Sequence, residues 1–303
     1  MHRGLCRLCG RDADLLLSHI LPAFAFRWLR ESAGGGHLRN SETPNQRVQD
    51  GTKEYWLCAS CESLFGRSEK AFADRLFYPF LSNPKQTLPY SNWLLHFCTS
   101  VSWRVLRLSI DEVHLHKWDV ELLSRAKAAE VVWRSYLLRE KANPGAFEQH
   151  LLPLGQIAST SASLPPNFNR YIMRAIQMDV CHSKTSAFTF AKLGRFAVLG
   201  FIHESNQSRW RGTKVNANEG TIQPLKYVLP SAFGTYLMEK ARDVSTALHS
   251  VSDKQSARIE KAFRSNAENF VGTDAHAAME ADIRLFGDDA FAPPRPKPTS
   301  SEP

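Results

Sequence analysis

Two Cys-x-x-Cys pairs constrain this chain more than any other feature. Cys6-Arg7-Leu8-Cys9 and Cys58-Ala59-Ser60-Cys61 are separated by 48 residues, and four thiolates presented by two such knuckles fit a tetrahedral zinc site. Whatever lies between them must leave the first knuckle and return to the second. At 303 residues the chain is long enough to bury a core without help from a metal, so zinc here organises a local site. A closed four-thiolate site has no open coordination position, and catalysis would have to come from residues held beside it. The remaining cysteines, Cys98 and Cys181, lie singly among apolar neighbours. They read as small buried side chains and not as disulfide partners.

Hydrophobic periodicity places the other elements. The apolar run Leu15-Leu16-Leu17 predicts a strand at about 14–19, followed by a helix starting near Pro22 that carries Phe24, Trp28 and Leu29 and stops before Gly34-Gly35-Gly36. The polar stretch 37–52 reads as a loop, 53–58 as a second strand, and the second knuckle as the opening of a helix. The order is β, loop, β, α around a metal. Leu94, Phe97, Cys98, Val101, Val105 and Leu108 recur at spacings of three and four, which predicts a buried helix over 91–110 with Ser91 as its cap. A second helix is expected over 117–141. The runs 171–176, 187–190 and 196–202 read as strands, the last two joined by a tight turn at Gly194-Arg195. Residues 231–270 return to helix. The expected division is a first unit over 1–80, a helical and antiparallel-β body over 81–286, and a proline-rich, disordered tail over 287–303.

Composition narrows the function classes. The hydrophobic fraction of 43% is ordinary for a globular protein, and no apolar run reaches membrane-spanning length. The N-terminus enters the knuckle without the apolar stretch of a secretory signal, so a cytoplasmic location is expected, with no membrane partner and reduced thiols. A formal charge of +8 favours polyanions, because neutralisation of phosphates by Lys and Arg dominates nonspecific nucleic-acid affinity. The cations are scattered, and a merely solvated surface explains them equally well.

The segment Ser18-His19-Ile20-Leu21-Pro22 between the knuckles, with Cys58-Ala59-Ser60-Cys61-Glu62 after it, resembles the zinc-knuckle branch of the HNH endonucleases, the ββα-metal superfamily. The resemblance implies an α+β fold with an N-terminal zinc-knuckle ββα-metal unit on a helical and antiparallel-β body. It makes His19 the general base that deprotonates water, a role for which imidazole is suited near neutral pH. It places a divalent cation, Mg²⁺ or Mn²⁺, on the scissile phosphate, with Glu62 as its ligand and Ser18 as a helper. Cys6, Cys9, Cys58 and Cys61 would hold structural Zn²⁺. Three positions depart from the family pattern. Ser18 stands where Asp or His often precedes the base, Glu62 where His usually follows the second knuckle, and the central Asn has no match, since Asn40 and Asn45 lie in the loop and Tyr55-Trp56-Leu57 precedes Cys58. A carboxylate at Glu62 suits hard cations. The wider pattern, extended to Ser100-Val101-Ser102-Trp103-Arg104, looks like a divergent bacterial group with the same start, whose activity does not carry over.

Other residues are weighed against simpler roles. Arg104 either reaches a phosphate or forms an ion pair beside a packed tryptophan. Glu69 is about 10 Å along the helix from Glu62, too far to chelate the same ion, and instead orients an arginine or caps a loop. Trp210-Arg211-Gly212-Thr213-Lys214 mixes aromatic and basic side chains, so Trp210, Arg211 and Lys214 either stack on bases and touch phosphates or form a loop around a tucked tryptophan. His114 and His116 lack a complete ligand set. The sequence therefore points to a metal-dependent nuclease acting on DNA in preference to RNA, with a non-catalytic zinc module for nucleic acid or a protein partner as the alternative.

Overall fold

The computed structural model describes residues 2–33, 38–112, 115, 118–160, 163–223 and 227–293. The Gly34-Gly35-Gly36 stop, the His114 and His116 pair, and residues 294–303 of the tail lie outside them.

The chain begins with β1 (His2–Leu5), β2 (Asp12–His19), α1 (Ala23–Glu31), β3 (Leu38–Arg39), β4 (Arg47–Val48), β5 (Lys53–Cys58) and α2 (Ala59–Phe72). Strands β1, β2 and β5 form an antiparallel sheet in that order. Leu15 pairs with Cys58 and His19 with Lys53, across a bulge between Leu16 and Leu17. Side chains alternate across a strand, so Leu17 is exposed while Ser18 is buried. Helix α2 starts as soon as β5 ends, with Cys58 in an extended conformation as its N-cap. The stretch expected to be a loop contains the short β3–β4 pair, with Leu38 opposite Val48.

A π-helical turn over Ala73–Phe77 leads from α2 into α3 (Tyr78–Ser82), and then come β6 (Leu88–Ser91), α4 (Trp93–Asp111) and α5 (Val120–Leu137). Ser91 is not the cap of α4; it ends β6, and Asn92 occupies the cap position without a side-chain bond. Helix α4 is buried over most of its surface, with Thr99, Ser100, Ser102 and Arg104 among its buried residues, and is correspondingly a core helix. Its Phe97 stacks on Phe72 with ring centroids 4.0 Å apart, and its Trp103 donates Nε1–H to Glu130 of α5 at 2.9 Å. Next come β7 (Gln149–Pro153), α6 (Phe168–Arg174), β8 (Ile176–His182), β9 (Ser186–Leu193), β10 (Phe196–Glu204), β11 (Glu219–Ile222), α7 (Ser231–His249), α8 (Asp253–Arg264) and α9 (Asp274–Phe286). Strands β7, β10, β9 and β8 form a second antiparallel sheet in that order, with β9 and β10 joined at Gly194-Arg195 as anticipated. The molecule is α+β with antiparallel sheets.

The chain divides into two compact units, neither of which ends at residue 80. The first comprises the chain up to Trp28, Asp50–Gly155 and Ala175–Pro230; the second comprises Leu29–Gln49, Gln156–Arg174 and the chain from Ser231 on. In the second unit Met173 packs against Ala278 and Ala281. The run expected as a strand at 171–176 is instead the end of α6, and β8 begins at Ile176. Asp282, fully buried, accepts the backbone N–H groups of Asn169 at 2.7 Å and Arg170 at 3.1 Å. These are donors that the first turn of a helix cannot satisfy itself, and a carboxylate there also complements the helix dipole. Within the stretch expected as tail, Gly287–Phe291 forms a 3₁₀ turn whose Ala290 is buried and accepts a hydrogen bond from Arg170.

Candidate metal centre and adjoining dyad

The sulfur atoms of Cys6, Cys9, Cys58 and Cys61 all lie within 4.8 Å of one another. Among the described residues this is the one cluster of three or more His, Cys, Asp or Glu ligand atoms near enough to share an ion. Zn–S bonds of about 2.3 Å at tetrahedral angles require sulfurs about 3.8 Å apart, and Cys9 and Cys58 are separated by 3.8 Å. Gly10 turns the first knuckle at a φ of +73°, a conformation that costs glycine little. The Gly10 N–H reaches back to Cys6 O at 2.8 Å, and the Cys58 N–H points at the Cys6 sulfur at 3.4 Å. From α5, Arg134 donates to Leu8 O at 2.6 Å and so secures the knuckle.

The charges of the cysteine group also favour a cation. Burial raises the Cys6 and Cys61 thiols, and neighbouring sulfurs add to the rise. Burial would also lift Cys58, but hydrogen bonds from Ser60 and the other cysteines bring it down to about 6. Four sulfurs this close cannot all be thiolates without positive charge between them. The group therefore fits a structural zinc.

Next to the second knuckle, the β2–β5 pairing and the start of α2 bring Ser18 to Glu62 and His19 to Asp50, as two separate contacts of successive β2 residues. Ser18 Oγ donates to Glu62 Oε2 at 2.6 Å, joining residues 44 positions apart in sequence. His19 is one-fifth exposed, and its Nε2 lies 2.7 Å from Asp50 Oδ2. An ionised carboxylate only accepts, so in the neutral ring Nε2 carries the hydrogen and Nδ1 keeps the lone pair. Burial would raise the Asp50 carboxyl, but Lys53 Nζ at 2.7 Å, His19 and the Gly51 N–H together hold it below the usual range. Asp50 was not anticipated from sequence. It lies 31 residues after His19 in a polar stretch without a motif, and only the strand register opposing His19 and Lys53 points to it. A side chain on Gly51 would overlap the Phe26 ring, so the approach that positions Asp50 depends on glycine at the next position.

Of the residues read as nucleic-acid contacts, Arg104 and Trp210 are buried. Arg104 is buried and donates to Glu69 Oε1 at 2.7 Å, His19 O at 2.9 Å and Ser100 O at 3.2 Å, with its guanidinium over the Phe65 ring. It supports the His19 backbone from within the protein, and Glu69 orients it. Trp210 is buried against Phe201, Phe188 and His150 and donates to Glu204 at 2.7 Å, so it is not a stacking platform. Lys214 pairs with Glu148. Of that segment Arg211 and Lys214 keep exposed side chains. Cys98 is buried and Cys181 half-buried.

No family model, curated protein or solved structure matches this chain. No helix among the described residues is long and apolar enough to cross a membrane.

Proposed function

We propose that this chain is a metal-dependent endonuclease of the HNH type that hydrolyses phosphodiester bonds of nucleic acid, DNA in preference to RNA, and keeps a structural zinc in its four-cysteine group. One observation carries the reading. Ser18 and Glu62 meet at 2.6 Å, and the residue after Ser18 is a histidine bonded to a carboxylate. In this scheme Asp50 fixes the ring and stabilises its cationic form, and His19 Nδ1 takes a proton from the attacking water. The water oxygen bonds to phosphorus as the bond to the leaving oxygen breaks. Glu62, with Ser18, would hold Mg²⁺ or Mn²⁺, which supplies charge neutralisation at the phosphate. Such ions keep several waters and take one or two carboxylates plus substrate phosphates, so one glutamate is a sufficient anchor.

The test is nicking of supercoiled DNA with Mg²⁺ or Mn²⁺ by the wild type, His19→Ala, Glu62→Ala and Asp50→Asn. Loss of a general base lowers rates by about 10²–10⁴-fold. His19→Ala and Glu62→Ala should each lower the rate by at least the lower figure, and Asp50→Asn should shift the pH profile. Absence of cleavage with either metal, at about one zinc per chain, refutes the reading. A non-catalytic zinc module that binds nucleic acid or protein is the second reading, favoured by the departures from the family pattern at Ser18 and Glu62 and by its missing central Asn. It expects salt-dependent DNA binding or protein capture without cleavage.

A further inference from the structure

On another flank of α2 lies an open cleft of about 660 Å³, lined from α2 by Arg67, from α4 by Trp93 and His96, and from the end of α5 by Tyr136, Arg139 and Lys141. Arg67 follows Glu62 by five residues, which places it about 140° around the helix and about 7.5 Å along it. The cleft is thus a different site from the His19–Asp50 dyad, and the inference drawn from it does not rest on the hydrolytic reading.

The end of α5 has an unusual composition. Its C-terminus is a Schellman arrangement, with the Arg139 N–H bonded to Tyr136 O and the Glu140 N–H bonded to Ser135 O, each at 2.9 Å. The residue at the turn adopts a left-handed φ, which favours glycine. Here it is Arg139, at +64°, the one non-glycine among the described residues with positive φ. A strained backbone held at a cleft is grounds for seeking a function in its side chain. The side chains of Arg67, Arg139 and Lys141 make no hydrogen bond or ion pair among the described residues, and Glu140 is the single carboxylate on the cleft wall. Burial, and then the charges of Arg139 and Arg67, push His96 down to about 4, so the histidine on the cleft wall is neutral at neutral pH and leaves the positive charge to the arginines and the lysine.

We propose that this cleft binds the terminal phosphate of a nucleotide, with Arg67, Arg139 and Lys141 around the phosphate and the Trp93 and Tyr136 rings beside the base. Three cations against one carboxylate suit a phosphate monoester, which carries close to two negative charges at neutral pH. The volume is in the range of small-ligand sites. The phosphate can belong to a free mononucleotide or to a strand end.

Calorimetric titration of the full chain with adenosine 5′-monophosphate, adenosine and inorganic phosphate tests this. Adenosine 5′-monophosphate should bind at least tenfold more tightly than either fragment. Arg139→Gly and Arg67→Ala should each weaken it at least tenfold. Arg139→Gly places the preferred residue at the turn, so its melting temperature should hold or rise, and loss of binding cannot then be assigned to unfolding. Displacement by a 5′-phosphorylated oligonucleotide but not by its unphosphorylated form points to a strand end, and failure of both points to the free nucleotide. No binding at millimolar ligand, equal affinity for adenosine, or unchanged affinity in both variants overturns the proposal.

Discussion

Arg104→Met tests whether this arginine is an internal strut or a nucleic-acid contact. The substitution keeps the aliphatic length but removes donors to Glu69, His19 O and Ser100 O. Breaking a buried ion pair from one side costs about 3–5 kcal/mol, because the partner charge is left uncompensated. The Glu69 side chain retains 20% exposure and rehydrates in part, so the lower end, about 3 kcal/mol, is expected. At a urea m-value of about 2 kcal/mol/M this is a midpoint shift of about 1.5 M. The double variant Arg104→Met/Glu69→Leu removes both charges and should recover more than half of the loss. An arginine that neutralised a phosphate would, on removal, lower the slope of log affinity against log salt by about 0.9, and neither variant should change that slope. A single variant within about 1 kcal/mol of wild type, a double variant no better than the single, or a slope that falls by about one would refute the assignment.

Three further expectations concern stability and metal. Cys58→Ser should lower zinc content from about one per chain to under half, read by metal analysis after dialysis, since a closed structural site needs all four ligands. His96 is held down at about 4 against an ordinary 6.5, so the unfolded chain takes up its proton first. The neutral-form stability is complete above pH 6.5 and is lost as pH falls towards 4, by up to about 3 kcal/mol. Denaturation midpoints across this window should flatten in His96→Phe. Gly51→Ala forces a methyl into the Phe26 ring and should cost about 1–3 kcal/mol, together with any activity that depends on Asp50; an unchanged melting temperature would contradict the close approach.

The candidate site was legible where its logic is local. Knuckle spacing located the cysteines, and the apolar run Leu15-Leu16-Leu17 ahead of the proline-initiated helix located the end of β2. Glu62 followed from its place after Cys61. Asp50 was not legible because its partnership depends on which residue of β5 faces His19, and a bulge at Leu16 and Leu17 shifts that register. The strand expected at 171–176 failed for a related reason. A short apolar run such as Tyr171-Ile172-Met173 fits either period, and the choice was made by Asp282, more than a hundred residues away. Arg104 and Trp210 carry side chains that serve nucleic acids or cores equally well, and only burial separates the two uses.

The interleaving of the two units has a consequence for biosynthesis. The chain crosses between them after Trp28, Gln49, Gly155, Arg174 and Pro230. During vectorial synthesis the first unit has all of its residues once Pro230 has emerged. The segments 29–49 and 156–174 must wait for the helices that follow, Asp282 among them, before the second unit can close. No single truncation yields either unit alone, and a ribosome stalled between Pro230 and Asp282 would leave a completed first unit trailing two unpartnered segments, a natural substrate for chaperones.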